Sequence, residues 1–187
     1  MVAMKTPALV TGEQLTNALH SLGVEFIMGG QYENETLHKQ PGRLIVALAQ
    51  SSEARLRLSL IPLFLEHPEL ARYVPSAAAK LAPAARIILE CYYTAAVWLQ
   101  QQHITQLNTL IGSKPTLPDY FSRKIGFEIT TNPGENLKSL AERHRVLSGA
   151  QVNWLGTYQH AAQVMLRGLE LQGTRNHGQY SDSIHSA

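Results

Sequence analysis

Apolar residues recur every three or four positions through most of the chain, the spacing that lines one face of an α-helix. In the first segment, Thr11 to Leu22, they are Leu15, Leu19 and Leu22, and Gly23 suits a left-handed C-terminal cap. Val24 to Met28 fits a short strand or a connector, and Gly29-Gly30 fits a turn. The polar run Gln31 to Gln40 predicts no single element.

From Pro41 the helical pattern is stronger. Leu44, Ile45, Ala47, Leu48 and Ala49 predict a helix begun by Pro41, whose missing N–H costs nothing in a first turn. Ser51-Ser52-Glu53 offers a cap for a helix from Glu53 to His67. Arg55 to Leu60 alternates as a strand would, but its leucine content and the cap decide for a helix. Pro62 should kink or split it, because proline removes a backbone donor and crowds the preceding turn. A short helix from Pro68 should stop before Pro75, and Ser76 to Leu81 forms another piece. Ala82-Pro83 then opens the longest predicted helix, reaching about Ile111. Its stretch Ile87 to Leu99 is apolar nearly all round, so protein should surround it. Gln100 to His103 should emerge into solvent.

Pro118 is expected to start a short helix through Lys124. Glu135 to Leu147 reads as amphipathic, with Leu137, Leu140, Ala141, His144 and Leu147 in one stripe. Asn153 should cap a last helix, Trp154 to Leu171, with Trp154, Tyr158, Ala161, Ala162, Met165 and Leu169 buried. Residues 173–187 are polar and read as a mobile tail. The pattern therefore predicts an all-α fold. It is a single-domain helical bundle over residues 1–172 around a long central apolar helix, with residues 1–40 the least defined part. Paired helices after Pro41 suggest stacked helical hairpins.

Composition narrows the function classes. The 187 residues are 44% hydrophobic and 16% charged, enough for one stable core without disulfides or metal. The net charge is +2 and evenly spread, which argues against nucleic acid and anionic membranes as partners. No apolar run approaches the ~20 residues that span a bilayer. The aspartates are two, Asp119 and Asp182, so chemistry built on clustered aspartates is not expected. A lone cysteine, Cys91, and the lack of a signal-peptide pattern point to the cytoplasm.

Candidate chemistry is sparse. Arg86, Glu90, Thr94 and Gln101 fall along one stripe of the long helix, with Tyr93 beside it, and Arg86 and Glu90 are spaced to pair. Such a stripe is a polar pocket or simply hydrogen-bonded core. Cys91 lacks any activating neighbour in sequence and reads as packing. No cofactor is implied. No zinc motif occurs, and Glu35-x-x-His38 is half of a di-iron motif without its second copy, so no metal site is expected. Hydrolase elbows and phosphate-binding glycine loops are missing. Glu142-Arg-His-Arg145 and Asn153 to His160 stand out. A helical hairpin would bring Arg143, His144, Trp154, Tyr158 and His160 together as an interaction patch, since Trp, Tyr and Arg dominate binding hot spots. The alternative is a hairpin contact in which Trp154 and Tyr158 fill the core.

Four stretches carry a resemblance: Ile61 to Pro75, Tyr92 to Gln100, Leu117 to Ser122, and Leu140 to His160. They resemble uncharacterised helical proteins of bacteria, over roughly residues 40–170. The resemblance implies a helical fold and a bacterial origin but no activity. An association of such proteins with nucleotidyltransferases seeds the alternative of a toxin–antitoxin partner.

The expected function is a non-catalytic cytoplasmic interaction or regulatory subunit of a bacterial complex, with a protein partner or a second copy of itself. One alternative is an enzyme or toxin–antitoxin partner with a polar site from Arg86, Glu90, Arg143, His144 and His160. Another is a nucleic-acid-associated protein, which needs Arg55, Arg57, Arg123, Lys124, Arg143 and Arg145 on one face.

Overall fold

The structure is a computed structural model that describes residues 10–27 and 36–181. The described chain is all-α, with no strand among those residues. The glycine turn at 29–30 and Glu35 lie outside them.

Helix α1, Gly12–Ser21, starts at Thr11, whose hydroxyl accepts from Gln14 N while the Gln14 side chain accepts from Thr11 N. This reciprocal cap satisfies two otherwise orphaned donors. Gly23, at φ 81°, ends the turn in the left-handed region that favours glycine. A short 3-10 turn, Leu37–Lys39, leads into α2, Pro41–Gln50, with proline in its first turn as expected.

The helix expected over 53–67 is split into α3, Ala54–Leu58, and α4, Leu60–Glu66. Pro62 thereby falls in the first turn of α4, where its missing N–H leaves no gap. The break at Ser59 is buried, and its hydroxyl donates to Leu56 O at 2.6 Å. A 3-10 segment, Pro68–Tyr73, runs into α5, Val74–Lys80, so Pro75 starts a helix rather than following one.

The single helix expected from Pro83 to Ile111 is two: α6, Pro83–Gln102, and α7, Ile104–Ile111. The break at His103 comes where the all-round apolar run has ended. It redirects the chain so that Leu107 is buried and α7 lies against the last helix. Every residue from Leu89 to Gln100 is buried, and α6 packs on α2, α4, α5 and the helix after residue 132. Gln100 does not emerge into solvent. Its buried amide donates to Pro115 O at 2.9 Å and accepts from Leu117 N at 2.8 Å, pinning the following loop.

Pro118 lies in that loop, and α8 begins later, as Ser122–Ile125. Asp119 sets the start by accepting from Phe121 N and Ser122 N. Helix α9, Pro133–Ser148, is capped by Asn132 and ends at Gly149, φ 67°. Helix α10, Trp154–Ser181, is the longest element and continues past Gly173, where the sequence pattern stops. It packs on α4, α6, α7 and α9.

Candidate functional site

The hairpin of α9 and α10 gathers an unusual set of side chains. Asn153 Oδ1 accepts from Gly156 N and fixes the start of α10. Trp154 and Tyr158, one turn apart, then face His144 on α9. The His144 ring lies on Trp154 with centroids 3.7 Å apart and planes 17° apart. Its Nδ1 is 2.6 Å from the Tyr158 hydroxyl. Tyr92 of α6 meets all three rings edge to face.

His144 is 1% exposed, and burial pushes its pKa down to about 4, so the ring is neutral near pH 7. A neutral imidazole carries one N–H. If Tyr158 donates to Nδ1, only the Nε2–H is left without a partner. If Nδ1–H donates instead, both Nε2 and the Tyr158 proton are left over. The first assignment wastes less hydrogen bonding and is the one the geometry favours. Nε2 of His144 and the indole N–H of Trp154 are both buried without a partner.

Of the five residues expected in the patch, His144, Trp154 and Tyr158 do come together. Arg143 turns the other way and donates from Nε to Ile125 O at 3.0 Å, capping α8. His160 is exposed on the far side of α10. Glu142 pairs with Arg145, not with His144.

The stripe on α6 also divides. Arg86 and Glu90 do not pair. Arg86 reaches back to Ala78 O and Leu81 O, at 2.9 and 3.0 Å, at the end of α5. Glu90 binds Lys124 of α8. Thr94 donates to Glu90 O within its own helix, and Tyr93 donates to Pro118 O. Cys91 is buried, and burial with the neighbouring Glu90 raises its thiol to about 12, so it stays protonated.

Among the described residues, no group of three His, Cys, Asp or Glu side chains is placed to hold a metal ion. No described helix is long and apolar enough to cross a membrane. Of the six basic residues considered for nucleic acid, four are engaged: Arg57 on Ser51 O and Ser52 O, Lys124 on Glu90, Arg143 on Ile125 O and Arg145 on Glu142.

One feature of the hairpin carried no clear sequence signal. Leu147, expected in the buried stripe, is 39% exposed, with Val146 at 61% and Val152 at 41%. The helix ends at Ser148, one turn after His144, and leaves Leu147 partly exposed at the α9–α10 turn. No family model matches the chain, and no curated protein or solved structure does either.

Proposed function

We propose that the protein is a non-catalytic interaction or regulatory subunit that binds another protein through its α9–α10 turn. One observation carries the reading. Val146, Leu147 and Val152 stand exposed at one turn, directly beside the stacked pair His144 and Trp154. Exposed single hydrophobes are ordinary, but three where α9 ends and the loop to α10 follows make a patch. The rings beneath give it a rigid floor, which lowers the entropy cost of binding.

A stable homodimer buries about 800 Å² from each partner, more than three side chains supply, so the reading takes a different protein as the partner. The patch suits insertion into an apolar pocket on that protein. The enzyme alternative draws no support from this geometry. Arg86, Glu90 and Arg143 each bond a separate structural partner, His144 is engaged through Nδ1 by Tyr158, and His160 is exposed elsewhere on α10. The cytoplasmic, bacterial setting is part of the proposal and rests on the sequence.

The test is affinity purification of the full chain from its native host, run beside a Val146→Lys/Val152→Lys variant. A protein recovered in stoichiometric amount with the wild type and lost with the variant supports the reading. Recovery of a lone monomer, or equal recovery with both chains, overturns it. A homo-oligomer that the variant dissolves would replace the hetero-partner with a second copy.

A further inference from the structure

A cavity of 540 Å³ lies between α2, the start of α1 and the connector before α3. That volume is in the range of small-molecule sites. One face of α2 forms a wall: Arg43, Val46, Ala47 and Gln50 recur at helical spacing and all line the cavity. The other face of α2, with Leu44, Ile45 and Leu48, is buried in the core. Gly12, the first residue of α1, and Glu53 of the connector line the cavity as well. Val46 and Ala47 are half-buried, whereas Arg43 and Glu53 are exposed.

The connector is held in place by its own hydrogen bonds. Arg57 donates from Nη1 to Ser51 O at 2.7 Å and to Ser52 O at 2.9 Å, and Glu53 N donates to Ser51 Oγ at 3.2 Å. Glu53 is thereby placed at the start of α1, where the helix dipole favours a carboxylate. Its Oε1 lies so close over Gly12 that a Cβ there would collide with it. Arg43 meets the neutral side chain of Gln40, with Nη1 3.5 Å from Oε1. Arg43 and Glu53 therefore bring opposite charges to one cavity. Among the described residues, no ion pair joins them to each other or to a further charged group.

A ligand that answers both charges carries an anion and a cation, and its body is apolar so as to lie on Val46 and Ala47. We propose that this cavity binds a small zwitterion with an aliphatic body, the chemistry of a short peptide or an amino acid. Its carboxylate lies on Arg43, whose planar guanidinium offers paired N–H donors. Its ammonium donates to Glu53. Gly12 is part of the site, because a side chain there would push the Glu53 carboxylate aside. The cavity shares no residue with the α9–α10 turn, so neither proposal rests on the other.

The experiment titrates the full chain with the dipeptide Ala-Val and with L-valine, and follows amide chemical shifts. At least one probe should give saturable shifts centred on residues 10–12 and 43–53, and which one does so tells peptide from amino acid. The N-acetylated form of that probe lacks the ammonium, and its amidated form lacks the carboxylate. Each should bind about threefold or more weakly, the scale of one exposed charge pair. Arg43→Gln and Glu53→Gln, both at exposed sites, should show the same loss with the unmodified probe. Gly12→Ala should bind that probe no better than the wild type binds the acetylated form. No saturable shift with either probe overturns the proposal. So does equal binding of the acetylated or amidated form, or binding at the wild-type level by both Gln variants.

Discussion

His144 and Tyr158 are joined by a 2.6 Å contact inside the α9–α10 hairpin, with His144 stacked on Trp154 at 3.7 Å. This links a helix end to the start of the next one through rings rather than through the intervening loop. It holds the exposed turn in one position while leaving His144 neutral.

The histidine makes stability depend on pH with a definite sign. Its folded-state pKa, about 4, lies below the ordinary 6.5, so the unfolded chain binds more protons between those values. Its contribution is complete above about 6.5 and is lost as pH falls toward 4. Glu66 acts oppositely. Its folded-state value, raised by burial to about 7, exceeds the ordinary 4.5, so its contribution is lost as pH rises between them. The wild type should therefore show a shallow profile. Urea midpoints measured across this range should rise with pH in Glu66→Gln and fall with pH in His144→Phe.

Tyr158→Phe keeps the ring packing and removes the hydroxyl. Buried Nδ1 of His144 then loses its donor, at a cost of about 1–2 kcal/mol. Chemical denaturation should give that loss with an unchanged m-value, because the buried surface is preserved.

Gln100→Ala should cost about 1–3 kcal/mol, since it strands both Pro115 O and Leu117 N. Faster hydrogen exchange should appear at Leu117 first, while the α6 amides keep their protection.

Val146→Lys and Val152→Lys should leave stability within about 0.5 kcal/mol, because both sites are exposed and a cation near the end of α9 suits the helix dipole. A thermal melt close to that of wild type would show that any loss of partner is a surface effect.

Most of the fold was legible where local chemistry decides it. Thr11, Pro41, Pro83, Asn153 and Gly149 mark helix ends in the sequence, and each does so in the structure. The split around Pro62 followed from the missing donor. Tertiary context overrode the pattern elsewhere. Gln100 looked like a solvent-facing end, yet its amide substitutes for backbone partners of a loop fifteen residues away. Arg86 and Glu90 had pairing spacing, but each found its partner elsewhere, Arg86 on the end of α5 and Glu90 on α8. The aromatic part of the hairpin was readable from Trp154, Tyr158 and His144. The exposure of Leu147 was not, because it depends on where α9 stops relative to α10.

The most direct test is quantitative co-purification from the native host with full-length wild type and Val146→Lys/Val152→Lys, followed by sedimentation of each product. The account predicts a discrete complex with wild type and a folded, free monomer with the variant. A wild-type chain that sediments alone as a monomer, or a variant that retains the same partner, would contradict it.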